Sequence, residues 1–226
     1  MMTKIKTKLK SLLDETAGRQ PLEHEVKRLL SGLGLSVPKG IFIPSGAFVS
    51  GEMRRAKLRF PLAVKAVSPD IRSKTEAKAV RLGIRTEEEF LHEARELMTI
   101  SGARGVLAEE MHEAGIETIV GGLVDAQFGP VVMFGLGGFF VEVFHDVSFA
   151  LAPISRREAL KLVLRIKGAG VLRGVRGRPP VDFGALAKAI ETVSGLIATG
   201  LIKEIDLNPL ALFPEGAYVL DAKIFV

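Results

Sequence analysis

The stretch DAQFGPVVMFGLGGFFVEVFHDVSFALAP, residues 125–153, decides how the chain is read. Its uncharged part, Phe128 to Val141, runs for 14 residues and is broken by Pro130 and four glycines. A membrane-spanning helix wants about 20 apolar residues, so this is not one. Runs rich in Val, Phe and Met, bounded by Gly and Pro, predict strands instead: VVMFG, FFVEVF and DVSFALA. FGLGGFFVE (134–142) sets small residues between two of them. There the backbone N–H groups can approach an anion, or the chain can simply turn tightly.

Working outward, the C-terminal side carries two helices and a hairpin. Ser155 with Glu158 predicts a capped helix through Lys167. Asp182 caps another, with Leu186, Ile190, Val193 and Ile197 at helical spacing. IKEIDLNPLALF and AYVLDAKIFV read as strands turned by Pro214-Glu215-Gly216. On the N-terminal side, GVLAEEM and IETIVGGLV read as strands, preceded by a helix with Thr86 and Glu89 as its capping box. PLAVKAV (61–67) and AVRLGI (79–84) read as two more strands, joined by the polar loop SPDIRSKTEAK. A helix from Pro21 carries Leu22, Val26, Leu29, Leu30 and Leu33 on one face, and Val37-Pro38 begins an extended link. Residues 1–20 read as a polar leader that can be helical. The expected division is a leader (1–20), an N-terminal lobe (21–105) and a C-terminal lobe (106–226), both lobes α+β.

Composition excludes several function classes. The 226 residues hold 31 Lys+Arg against 26 Asp+Glu, a net charge of +5. Lys4, Lys6, Lys8, Lys10 and Arg19, against Asp14 and Glu15, concentrate much of that excess in the leader. No basic stripe with interleaved aromatics follows, which argues against nucleic acid. The absence of cysteine excludes disulfide scaffolds, zinc–thiolate sites and thiol catalysis. With no secretory apolar run at the N-terminus, the chain is expected to be cytoplasmic and without membrane contact. Asn and Gln occur only at Gln20, Gln127 and Asn208, a depletion of thermolabile residues found in thermophile proteins.

The standard phosphate-loop, dinucleotide, nucleophile-elbow and zinc-protease motifs are all missing. His145-Asp146 is a weak candidate for a catalytic pair. Asp206, Asn208 and Asp221 form a better constellation. Side chains at 206 and 208 share a strand face because the period is two, and a hairpin partner can bring Asp221 alongside. Two carboxylates and an amide oxygen are hard ligands suited to Mg²⁺ held together with nucleotide phosphates, although Asp and Asn before Pro are also ordinary turn punctuation. Lys65 sits between Val64 and Ala66 in an apolar strand, where a charge needs a phosphate or a carboxylate partner.

In order, these pieces resemble the β subunit, or ATP-grasp portion, of the ADP-forming acyl-CoA (acetyl-CoA) synthetases, in the succinyl-CoA synthetase superfamily. The resemblance runs from about Leu22 to Val226. It is carried by residues 125–153, RGRPPVD, KEIDLNPLALF, YVLDAKI and PLAVKAVSPDI. It implies an α/β ATP-grasp fold of two lobes with ATP between them. It also implies that Lys65 contacts nucleotide phosphates, that strand 106–111 takes the adenine with Glu109 and Glu110 nearby, and that Glu117 binds the ribose. Asn208 and Asp221, with Asp206 beside them, match the Mg²⁺ ligands. Gly137 and Gly138 match the loop near the transferred phosphate, where Lys74 also steers anions. Charge neutralisation by metal and lysine then replaces a protein nucleophile.

The implied reaction interconverts acyl-CoA, ADP and phosphate with carboxylate, CoA and ATP through acyl phosphate and phosphohistidine. The implied partner is a CoA-binding α subunit, in an α2β2-type assembly, that brings CoA and a small carboxylic acid. Two positions depart from the family pattern. Ser73 stands where a histidine precedes Lys74, and Ala150 stands where DVSFRLAP has arginine. They raise an alternative reading, a nucleotide-binding regulatory or structural subunit that has lost phosphoryl relay.

Overall fold

A computed structural model describes residues 1–226 apart from Phe48, Arg72, Ser73, Thr75, Glu76, 139–144 and Arg176. The expected strand FFVEVF and Ser73 lie outside the described residues. The chain divides into two compact units, Pro38–Glu113 and Met1–Val37 with Ala114–Val226.

The smaller unit is built on an antiparallel four-stranded sheet in the order β1-β4-β2-β3. Its strands are β1 (Gly40–Pro44), β2 (Leu62–Val67), β3 (Val80–Ile84) and β4 (Gly105–Glu110), with helices α3 (Val49–Ala56) and α4 (Glu87–Met98). Thr86 caps α4 as expected, its side chain accepting from the Glu89 N–H at 3.1 Å. Glu89 in turn accepts from Arg85 N–H at 2.8 Å, one residue before the cap. Phe90, Ala94 and Leu97 of α4 join Leu62, Val64, Ala66, Val106 and Ala108 in the core. That packing fixes the strand faces: Val64, Ala66 and Ala108 face the core, so Lys65 and Glu109 lie on the opposite face of the sheet.

The larger unit carries a six-stranded antiparallel sheet, β10-β8-β5-β6-β7 with β9 paired to β8. The strands are β5 (Ile116–Asp125), β6 (Gly129–Leu136), β7 (Val147–Leu151), β8 (Glu204–Leu212), β9 (Ala217–Val219) and β10 (Ala222–Phe225). Its helices are α1 (Met2–Thr16), α2 (Glu23–Gly32), α5 (Arg156–Val163), α6 (Ala169–Leu172) and α7 (Phe183–Ile197). Asp182 caps α7, accepting from Ala185 N–H at 2.9 Å. Leu186, Ile190, Val193 and Ile197 meet Ile205, Leu207, Val120 and Val132 from one face of the sheet.

The units do not follow the expected boundaries at 20/21 and 105/106. The stretch expected as a polar leader forms α1, whose Ile5, Leu9 and Leu12 are buried in the larger core. Gly195 in α7 makes room for it: a Cβ there would lie 2.6 Å from Ile5 Cδ1. Strand β4 belongs to the smaller unit because both of its edges pair there, with β1 and with β2. β1 and α3 lie where the sequence predicts only an extended link.

Candidate functional site

In the smaller unit, Lys65 finds the carboxylate alternative. Its Nζ lies 2.7 Å from Glu109 Oε2, with the two side chains 9% and 4% exposed. The pairing follows from register. Lys65 opposes Leu107 and Ala63 opposes Glu109, so the two charged residues are diagonal neighbours on one face. Gly40 opposes Glu109 on the other side, and a Cβ there would lie 2.7 Å from Glu109 Cγ. The missing side chain leaves Glu109 its space.

Glu110 faces the other way and is engaged by groups that sequence reasoning did not single out. It accepts from the Arg59 N–H and Arg59 Nε, each at 3.1 Å, and Lys39 Nζ is 3.5 Å away. Burial pushes its carboxyl up, but the Arg59 backbone and guanidinium and the Lys39 ammonium outweigh burial and hold it below the usual range. Glu110 thus anchors the end of β4. Lys74 is buried, and its carbonyl accepts from Ala79 N–H at 2.8 Å.

In the larger unit the hairpin forms as expected, with one addition. Asp206 pairs with Lys223 of β10 and with Gly121 of β5. The β5–β8 register shifts between Thr118 and Val120, so that Thr118 opposes Leu210 while Val120 opposes Leu207. Asn208 and Pro209 form this bulge. Before it Ile205 and Leu207 face the core; after it Leu210 and Leu212 do. A bulge of this kind re-aims side chains at functional edges. It leaves Asp206 and Asn208 on the face away from the helices, together with Glu117, which opposes Ala211.

Asp221 is brought alongside: the Asn208 N–H donates to the Asp221 carbonyl at 3.2 Å. Asp206, Asn208 and Asp221 therefore offer two carboxylates and an amide at one end of the hairpin, a hard-oxygen donor set that fits Mg²⁺. Among the described residues no group of three or more His, Cys, Asp or Glu side chains converges as a metal site.

Gly137 and Gly138 sit against Glu117. The Gly137 N–H donates to the Glu117 carbonyl at 2.8 Å, so it extends the β5–β6 ladder and does not point at an anion. A Cβ at Gly137 would lie 2.9 Å from the Glu117 carbonyl carbon, so only glycine fits. Gly138 adopts φ +60°, and a Cβ there would be 3.5 Å from Glu117 Oε2. Asp146 is structural, not half of a catalytic pair. It accepts from the backbone N–H groups of Lys167 and Gly168 at 2.8 and 2.6 Å, stapling β7 to the segment after α5.

Ala150 opposes Val132, and Val132 opposes Gly122, which opposes Ile205. It packs on the helix-side core, on the face opposite Asp206. Among the described residues, no helix is long and apolar enough to cross a membrane.

Comparison with known proteins agrees with this architecture. Residues 14–226 match the ATP-grasp domain family. The chain is 38% identical to the β subunit of acetate–CoA ligase (ADP-forming) I from Pyrococcus furiosus, covering 93% of this chain and 94% of the relative. It is 39% identical to acetate–CoA ligase (ADP-forming) II from Archaeoglobus fulgidus over 91% of this chain, but spans only 30% of that relative's length. A solved acetyl-coenzyme A synthetase 1 from Ca. Korarchaeum cryptofilum, in complex with coenzyme A and Ca-AMPCP, superposes with a TM-score of 0.87 at 36% identity. That match covers 96% of this chain and 98% of the other. A second structure of the same enzyme, with Mg-AMPPCP and its phosphohistidine segment towards the nucleotide site, gives a TM-score of 0.77 at 36% identity, over 95% and 96% of the two chains. The expected fold and kinship are therefore established: the chain has the ATP-grasp fold and belongs to the ATP-grasp family as a homologue of the β subunits of ADP-forming acetate–CoA ligases.

Proposed function

We propose that the chain is the nucleotide-handling subunit of an ADP-forming acyl-CoA ligase, working with a separate CoA-binding α subunit in an α2β2-type assembly in the cytoplasm. The reaction proceeds in three balanced steps. Phosphate displaces CoA from acyl-CoA to give acyl phosphate. A histidine takes the phosphoryl group and releases the carboxylate. ADP accepts it and becomes ATP.

The observation that carries the reading is Lys65. Lys65 is an ammonium held in place by Glu109 on the sheet face away from the α4 core, a positioned donor that can contact a phosphate chain as well as its carboxylate. Glu117 takes the ribose hydroxyls, and Glu109 and Glu110 lie at the end of the strand that takes the adenine. Gly138 keeps the approach to Glu117 open, Gly137 holds the turn, and Lys74 steers the anionic group. Asp206, Asn208 and Asp221 would hold Mg²⁺. When bound, the ion would supply positive charge to neutralise the phosphates.

Calorimetry on the full chain tests this. Asp221→Ala should weaken Mg–ATP by about tenfold or more while leaving ligand-free thermal stability nearly unchanged. Equal Mg–ATP affinity in wild type and variant would remove the metal assignment. Turnover by the single purified chain would remove the α subunit from the proposal.

A further inference from the structure

We propose that Lys27 is a positioning residue that aims Asp221 at the divalent cation, an inference that rests on the metal reading above. The connection between β9 and β10 is two residues long, Leu220 and Asp221. Three of its four backbone polar atoms are tied to the Asn208–Pro209 bulge. The N–H groups of Leu220 and Asp221 donate to the Pro209 carbonyl at 3.0 and 3.4 Å, and the Asp221 carbonyl accepts from Asn208 N–H at 3.2 Å. The fourth, the Leu220 carbonyl, is held from a different element: Lys27 Nζ of α2 donates to it at 2.7 Å.

The planarity of the peptide makes this contact matter. Leu220 C=O, Asp221 N–H and Asp221 Cα lie in one plane, so holding the carbonyl and the N–H together fixes where the Asp221 side chain begins. The N–H bond alone, at 3.4 Å, is at the long end for a hydrogen bond and a weak hold. The lysine supplies the strong, charge-assisted half.

The ammonium is itself braced by Glu23, one turn earlier, at 2.9 Å, with side chains 5% and 3% exposed. A buried ion pair is a poor device for stability alone, because apolar residues of similar volume often do as well or better. An apolar residue has no donor for the Leu220 carbonyl. The pair therefore does for Asp221 what outer-shell groups do for metal ligands, whose loss lowers metal affinity about 10–100-fold.

The test compares ATP affinity with saturating Mg²⁺ to ATP affinity in EDTA, by calorimetry on the full chain; their ratio is the metal increment. Lys27→Met with Glu23→Gln removes both charges, so neither is left buried and unpaired. We expect the increment to fall about 10–100-fold, with affinity in EDTA unchanged. If that variant does not fold, Lys27→Gln with Glu23→Gln, whose amide is one bond shorter than the lysine, should show the same loss. An unchanged increment in a folded Lys27 variant, beside a large loss in Asp221→Ala, overturns the role of Lys27 and leaves the metal reading standing. No loss in Asp221→Ala overturns both.

Discussion

Removing one member of the Lys65–Glu109 pair should destabilise the smaller unit more than any surface change can. The two charges lie 2.7 Å apart with side chains 9% and 4% exposed, so neither can turn to water when its partner is gone. Two unit charges about 4 Å apart attract by roughly 4 kcal/mol at an effective dielectric of 20. Breaking buried pairs costs about 3–5 kcal/mol, which agrees. Lys65→Met and Glu109→Gln should therefore each lower unfolding free energy by about 3–5 kcal/mol, and the double variant by much less than the sum. Urea unfolding of ligand-free chain, followed by two probes to check for a single transition, measures all four species. ATP affinity separates the roles. Both variants lacking Lys65 should lose it, including the double variant, whose loss of stability is the smaller one. Single variants within about 1 kcal/mol of wild type, or additive losses in the double, would refute the coupling. Full ATP affinity in Lys65→Met would refute the phosphate role.

Acid stability gives a further check. Glu110, held low by Arg59 and Lys39, and Glu25, held low by Arg19 and the Leu22 N–H against the opposing push of burial, both have depressed carboxyl values. Such groups stabilise fully above the ordinary carboxylate range and lose that contribution as pH falls through the folded value. Glu110→Gln and Glu25→Gln should therefore flatten the fall in urea midpoint between about pH 5 and pH 2, and an unchanged acid limb would show that these contacts contribute nothing. In a mixture of this chain with the proposed α subunit, ATP and Mg²⁺, no acid-labile phosphate should form on this chain, and Ser73→His should introduce it. Label on wild-type His112 or His145 would refute that expectation.

Local signals in the sequence were strong wherever neighbours decide the structure. Thr86, Ser155 and Asp182 each cap a helix by accepting from the residue three positions on. Lys65 announced its partnered burial by standing alone in an apolar strand. Asp206, Asn208 and Asp221 were brought together because period two and one hairpin suffice. What escaped depends on distant packing. The apolar residues of α1 are diluted by lysines, and only the glycine gap in α7 shows that the helix docks. The boundary of the smaller unit is set by β4 pairing on both edges, which no local pattern contains. The bulge at Asn208–Pro209 did leave a trace, since proline cannot donate to a ladder and within sheets is confined to edges and irregular positions. Lys27 and Leu220 meet across 193 residues.

The two departures from the family pattern carry unequal weight. Ala150 lies on the helix-side face of β7, in register with Val132 and beneath the larger core. Asp206, Asn208 and Glu117 lie on the opposite face, so a side chain lost at position 150 takes nothing from the carboxylate face. Ser73 is a chemical matter. A phosphohistidine is a high-energy phosphoramidate that can accept and release phosphate at little net cost, whereas a serine ester is stable, and an unassisted serine hydroxyl is a poor nucleophile at neutral pH. Serine there would remove a relay step, but it leaves in place Lys65 and the hairpin donors to which nucleotide binding is assigned under the proposed function. On the proposed function, a chain with those groups in place would hold ATP and pass the phosphoryl group to a histidine on the proposed α subunit. Of the two departures only Ser73 therefore bears on the proposed route of the phosphate, and the proposed nucleotide binding depends on neither.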